Sequence, residues 1–141
     1  MKWSELLDGI VDAAVPPAMH VKALHLPAIQ GWQEGQVRVT FAIPEEVIQP
    51  HGSTFGGYLA AVADEMAGMA TMTVLPDGAS FTTSDLRMQY FRPIACENLS
   101  VEATVINQSR SNIHVEAVFS NASGKLIAKA FAVQRLTPGA N

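Results

Sequence analysis

The segment Gly56-Gly57-Tyr58-Leu59-Ala60-Ala61-Val62-Ala63-Asp64-Glu65-Met66-Ala67-Gly68-Met69-Ala70 restricts the fold more than any other part of the chain. Its helical pattern runs on to about Leu75, where Pro76-Asp77-Gly78 stops it. The segment is apolar nearly all round, and a helix of that kind is buried rather than laid on a surface. The sequence after it has the period of two that a covering sheet needs. Leu86, Met88 and Tyr90 alternate with Arg87, Gln89 and Phe91, and Pro93 ends that run. Leu99, Val101, Ala103 and Val105 alternate with polar residues, as do Ile113, Val115, Ala117 and Phe119. Ser109-Arg110-Ser111-Asn112 links these two strands, and Asn121-Ala122-Ser123-Gly124 turns into a last strand near 125–135.

Ahead of the helix, Trp3, Leu6, Leu7, Ile10, Val11 and Ala14 recur at helical spacing, with Ser4 placed to cap. Residues 21–32 and 36–43 read as two strands joined near Gln33-Glu34-Gly35. Pro44-Glu45-Glu46 opens a short helical turn, and Gln49-Pro50-His51-Gly52 is a loop. The order is strands, one long helix, then an antiparallel meander, an α+β layout. No repeat or linker divides it, so residues 1–141 read as a single domain with 1–20 as an N-terminal helix and lead-in.

Composition narrows the function. Hydrophobic residues make up 48% and charged residues 16%, which suggests apolar surface shared between subunits. The lone Cys96 excludes an internal disulfide framework and suits a reducing compartment, so a cytoplasmic protein is expected. Glu5, Asp8 and Asp12 interrupt any signal-peptide core, and no apolar run is long enough to span a membrane. A net charge of −4 argues against nucleic-acid binding. Residues 71–141 nevertheless hold six bases against five acids, whereas residues 1–70 hold three against eight. Those later bases are either ordinary solvated strand positions or contacts for an anionic ligand such as a nucleotide phosphate.

Two adjacent acids in an apolar helix demand an explanation, because dehydrating a carboxylate is costly. Asp64 and Glu65 point about 100° apart. Asp64 shares its face with Gly57, Ala60, Ala61, Ala67, Gly68 and Thr71, which leave space, while Glu65 neighbours Tyr58, Val62, Met69 and Met72, which read as packing. Leu59, Val62, Met66 and Met69 are placed to press onto the sheet. Asp64 is then either a carboxylate paired with arginine or facing solvent, or a cleft carboxylate acting as base or nucleophile. Just before it, Gly52-Ser53-Thr54-Phe55-Gly56-Gly57 leads into the helix start. Free N–H groups there can polarise a carbonyl, although such glycines more often mark a simple tight turn.

Other chemistry is excluded by spacing. His20, His25, His51 and His114 show no metal-ligand pattern, and one cysteine cannot build a zinc site. Gly52-Ser53-Thr54-Phe55-Gly56 has Thr54 at the centre, not the serine of a nucleophile elbow. Ser123-Gly124-Lys125 is a hairpin turn and not a P-loop.

The run Gln49-Pro50-His51-Gly52-Ser53-Thr54-Phe55-Gly56-Gly57, with Asp64 eight residues after Gly56, resembles the signature of hotdog-fold thioesterases. The similarity is to the phenylacetate-degradation (PaaI-like) and 4-hydroxybenzoyl-CoA thioesterase groups, and Tyr90-Phe91-Arg92-Pro93 adds to it; it covers roughly residues 36–135. The resemblance implies a hotdog fold, an antiparallel sheet wrapped around one long central helix. It implies that Asp64 activates water or attacks the thioester carbonyl, that Gly56 donates its N–H to the thioester oxygen, that Gln49 orients water or carbonyl, and that Thr83 sits beside the carboxylate. Arg92, Arg110 and Ser111 fall near where relatives bind the phosphates of coenzyme A, which enters as part of the acyl-CoA substrate and not as a cofactor. In such families the carboxylate and the glycine N–H come from different subunits, so a homodimer or a homotetramer built from two dimers is implied. One departure stands out: Phe55 occupies the place of a histidine, and His51, four residues earlier, does not match that slot.

Thioester hydrolysis of a small or medium, possibly aromatic, acyl-CoA is therefore the leading expectation. A hotdog dehydratase or hydratase would need a histidine near the acid, which Phe55 removes. A non-catalytic acyl-CoA or lipid-binding module using the same groove is the alternative from outside enzymology.

Overall fold

The computed structural model describes residues 2–137; Met1 and residues 138–141, the ends of the expected 1–141 domain, lie outside it. Six antiparallel strands form one sheet in the order β1-β2-β4-β5-β6-β3. They are β1 (Gly31–Gln33), β2 (Gln36–Ala42), β3 (Ser80–Tyr90), β4 (Asn98–Gln108), β5 (Asn112–Asn121) and β6 (Leu126–Thr137). The long helix α3 (Gly56–Met72) crosses one face, and two short helices, α1 (Trp3–Val11) and α2 (Met19–Ala23), precede the sheet.

Alternation along the strands makes this architecture. Val37 and Val39 on β2, Leu99, Val101 and Ala103 on β4, and Ile113, Val115, Ala117 and Phe119 on β5 are all buried. On β6 the same lane is Ala128, Ala130 and Ala132, small enough for the helix to approach. Leu59, Val62 and Met66 complete the contact from α3, each contributing about 1.5–3 kcal/mol of burial. Met69 departs from the expected sheet-facing row; it is half-buried and turns toward the N-terminal segment.

Helix α3 ends at Met72, earlier than the expected Leu75. The Thr73 hydroxyl donates to the Ala70 carbonyl (2.7 Å) and accepts from the Gly35 N–H (2.7 Å), which ties the helix end to the β1–β2 turn. That turn has Gly35 at φ +83°, open only to a residue without a side chain's steric limits.

Three other expectations change. Ser4 lies inside α1, whose N-cap is Lys2 without a side-chain cap. The expected strand over 21–32 shrinks to Gly31–Gln33: residues 19–23 are helical, His25 takes φ +54°, and Pro27 has no N–H for a ladder. Strand β3 starts at Ser80, ahead of the alternating run from Leu86, because a bulge between Thr83 and Asp85 resets the register. Phe81 and Thr83 before the bulge thereby share the helix-facing side with Leu86 and Met88 after it.

Candidate active site

Asp64 sits midway along α3 and faces the start of β3. The Thr83 hydroxyl donates to its Oδ1 at 2.7 Å. The carboxylate is exposed in the single chain: its side of α3 is open toward Gly57 and the half-buried Ala60 and Ala61, and meets the sheet only at the start of β3. It is not paired with an arginine among the described residues. Both Asp64 and Thr83 line a pocket of about 560 Å³. Its walls are mainly apolar, with Leu6, Ile10, Val15 and Pro16 on one side and Met69 and Phe81 on the other.

Glu65, largely covered among its bulky neighbours, also makes a hydrogen bond: its Oε2 lies 2.9 Å from His20 Nε2 on α2. The contact fixes the N-terminal lead-in beside the pocket mouth. Elsewhere, His51 is hydrogen-bonded to Ser53 (2.6 Å), and the His25 carbonyl accepts from the buried Tyr58 hydroxyl (2.7 Å). Burial pushes the Tyr58 phenol up to about 12.

The start of α3 is a separate station. Phe55 is its N-cap residue and supplies no capping side chain, and among the described residues neither the Gly56 nor the Gly57 N–H meets an acceptor. The loop ahead of it is held by Gln49 N–H to the Ser53 carbonyl (2.9 Å) and Phe55 N–H to the Val47 carbonyl (3.1 Å), with the Gln49 side chain half-buried. Tyr90 braces the turn: its hydroxyl donates to the Gly56 carbonyl (2.6 Å), and a Cβ on Gly56 would lie 3.3 Å from the phenol. Burial raises the Tyr90 phenol, keeping it a donor. The Phe55 ring folds over Gly57, where an added Cβ would fall 2.6 Å from it.

The structure thus brings Asp64 to Thr83, and Gln49 to the neighbourhood of Gly56, but holds the two pairs apart. Eight residues of helix separate Gly56 from Asp64, roughly 12 Å along the axis. The expected phosphate contacts are also divided. Arg110 and Ser111 lie on the β4–β5 turn, beside the start of β3, where Arg135 pairs with both Asn112 and Thr82. Arg92 follows the far end of β3, its guanidinium donating to the Leu126 carbonyl (3.0 Å), roughly 30 Å of strand away. All three are exposed.

Gln134 was not among the expected site residues. It is fully buried on β6, directly opposite Thr83, with Oε1 3.1 Å from the Thr83 hydroxyl. A signal was available: in the lane Ala128, Ala130, Ala132, Gln134, a long amide stands where the period calls for an apolar side chain.

A sequence profile described as "Thioesterase superfamily" matches residues 51–128. A candidate esterase of Saccharolobus solfataricus is 30% identical over 98 residues, covering 70% of this chain and 69% of that protein. A phenylacetic acid degradation-related protein from Ralstonia eutropha superposes with a TM-score of 0.81 at 26% identity, covering 96% of this chain and 99% of its own. A hypothetical thioesterase from Streptococcus pneumoniae, solved with coenzyme A, gives 0.74 at 19% identity over 86% of this chain and 99% of its own.

Proposed function

The chain belongs to the thioesterase superfamily and has the hotdog fold, and from that premise we propose that it hydrolyses a small or medium, possibly aromatic, acyl-CoA to the free acid and coenzyme A. The observation that carries this is the Asp64 carboxylate, held by the Thr83 hydroxyl at 2.7 Å on the wall of an apolar pocket of about 560 Å³. Such a pocket takes an acyl chain or ring and presents its carbonyl carbon to a carboxylate.

Asp64 then either removes a proton from water as it attacks the thioester carbonyl, or attacks that carbon itself and is freed by hydrolysis of the anhydride. In both routes the carbonyl C–S bond breaks and the thiolate of coenzyme A leaves and takes up a proton. The carbonyl oxygen gathers negative charge on the way, and the Gly56 N–H at the helix start, without an acceptor among the described residues, suits it. Gln49, on the same loop, orients water or carbonyl. Within one chain Gly56 and Asp64 cannot reach one carbonyl, since roughly 12 Å of helix lies between them. A second copy supplying the glycine therefore completes the site, and a homodimer or a tetramer of two dimers is the working form. The separation of Arg92 from Arg110 and Ser111 fits phosphate contacts drawn from more than one subunit. The coenzyme A bound by the pneumococcal relative supports the same substrate class here. No helix among the described residues is long and apolar enough to cross a membrane, and the lone Cys96 suits a cytoplasmic enzyme.

The test is thiol release from a panel of short, medium and aryl acyl-CoAs. Asp64→Asn keeps the shape and the Thr83 contact but removes the base, and should lower kcat by about 100-fold or more. An Asp64→Asn protein as fast as wild type would exclude the carboxylate from the chemistry.

A further inference from the structure

We propose that Gln134 is a positioning residue that directs the Thr83 hydroxyl proton onto Asp64, forming a relay that runs from the buried Gln134 through Thr83 to the exposed Asp64. The inference rests on Asp64 being the carboxylate that acts on the thioester. Three observations carry it. Thr83 Oγ1 stands 2.7 Å from Asp64 Oδ1 and 3.1 Å from Gln134 Oε1. A threonine hydroxyl has one proton, so it cannot donate to both acceptors. Meanwhile Gln134 Nε2, with two protons to give, is buried without a partner among the described residues.

Turning the Gln134 amide through 180° settles both conflicts. The nitrogen and oxygen of an amide are alike in size, so packing does not oppose the turn. Nε2 then donates to a lone pair of Thr83 Oγ1, and the single hydroxyl proton has only Asp64 left to receive it. The carbonyl oxygen moves to the slot the nitrogen left, where an unmet acceptor costs less than an unmet donor. Each bond in such a chain polarises the next, which strengthens the donation to Asp64.

The fold serves this arrangement. Thr83 and Gln134 are direct partners across β3 and β6, and Ile113 on β5 packs the other side of Gln134. The bulge after Thr83 keeps its side chain on the helix face, and among the described residues β3 is the outermost strand of the sheet. A fully buried glutamine in an alanine lane is costly unless its amide has work to do. Without it Thr83 is free to turn, and Asp64 loses a fixed donor.

The experiment is a double-mutant cycle on thiol release from acyl-CoA, with Thr83→Ala and the near-isosteric Gln134→Met. In wild type, Gln134→Met should lower kcat about tenfold and leave KM within about twofold, whereas in the Thr83→Ala background it should change kcat less than about twofold. Equal losses in both backgrounds would mean that Gln134 serves packing alone, and no loss in wild type would remove its role altogether. If Gln134→Met fails to fold, Gln134→Glu takes its place: neutral in this slot it still donates to Thr83, but ionised it draws the Thr83 proton away from Asp64. Its kcat should then fall with rising pH relative to wild type, and a parallel profile overturns the relay. The facing groups on neighbouring strands, Thr83 and Ile113, do not titrate in that range, and Asp64 beyond Thr83 is common to both proteins. Asp64→Asn separates the premises: if it is inactive while the cycle is additive, only the relay fails.

Discussion

Gly68 sits in the middle of α3, buried beside the pocket that Asp64 lines, and replacing it with alanine should stabilise the protein while narrowing that pocket. Glycine inside a helix is about 1 kcal/mol worse than alanine because it leaves more freedom to the unfolded chain. The remaining question is whether a methyl fits. A Cβ at this position would meet Phe81 Cε2 at 3.4 Å and Cζ at 3.5 Å, ordinary van der Waals contact with a ring edge. Covering that methyl adds up to about 0.8 kcal/mol, so the net gain is roughly 1–2 kcal/mol. For 141 residues unfolding with about 2.1 cal/mol/K each, that raises Tm by about 5 °C. The added methyl also occupies space between Asp64 and Phe81. Thermal melts followed by circular dichroism measure the first effect, and kcat/KM across acyl chain lengths the second, with the bulkiest substrates losing most. A fall in Tm would mean that the Phe81 ring is held too tightly to accept even this contact, and the packing described between Gly68 and Phe81 would be wrong.

Two further substitutions follow from neighbouring contacts. The Tyr58 hydroxyl donates to the His25 carbonyl, and burial raises the phenol from 10.0 to about 12. Between those values the unfolded chain has lost the proton that the folded chain retains, so stability present below pH 10 should fall by roughly 1–2 kcal/mol as pH rises toward 12. Tyr58→Phe removes this part of the alkaline slope in urea titrations at stepped pH, and an unchanged slope contradicts the assignment. Glu65→Gln weakens the tie to His20, whose side chain is 59% exposed, so the stability loss should stay below about 1 kcal/mol. Since the tie steadies one wall of the pocket, KM for bulky substrates should rise more than kcat falls; a drop in kcat alone would move Glu65 into the chemistry.

Much of the fold is legible in the sequence because burial there is periodic. Leu99, Val101 and Ala103, or Ile113, Val115 and Ala117, name their own face, and a helix apolar on nearly every side can only be covered. Legibility fails where local patterns compete with chain chemistry. Residues 21–32 look extended, yet Pro27 and the left-handed His25 keep most of them out of the sheet. The first half of β3 is the polar run Thr82-Thr83-Ser84-Asp85, which carries no alternation because the edge strand is exposed on this stretch and a bulge falls within it. At the site, Asp64 and Thr83 were legible as a pair only through resemblance, since nineteen residues separate them in sequence and no spacing rule brings them together. Gln134 is the opposite case: its lane on β6 was visible in sequence, but its partner lies on β3 and only the register shows the meeting.

The departure at Phe55 gains a physical meaning from its surroundings. It is 50% exposed, and its ring lies over Gly57 at the same helix end where the Gly56 and Gly57 N–H groups meet no acceptor among the described residues. A phenyl ring cannot donate a hydrogen bond, but it can keep water from those N–H groups and lower the local dielectric, which strengthens each N–H toward a developing oxyanion. On the proposed reaction, the work of a donor side chain in this slot is shared between the Gly56 backbone and an apolar cover. Tyr90, which grips the Gly56 carbonyl at 2.6 Å, then becomes the residue that fixes where that N–H points. The proposed chemistry therefore depends at its helix end on shape and backbone, and at its Asp64 end on the proposed chain of side-chain hydrogen bonds. Since one chain cannot bring those ends together, the assembly of two copies is as much a part of the proposed site as any side chain.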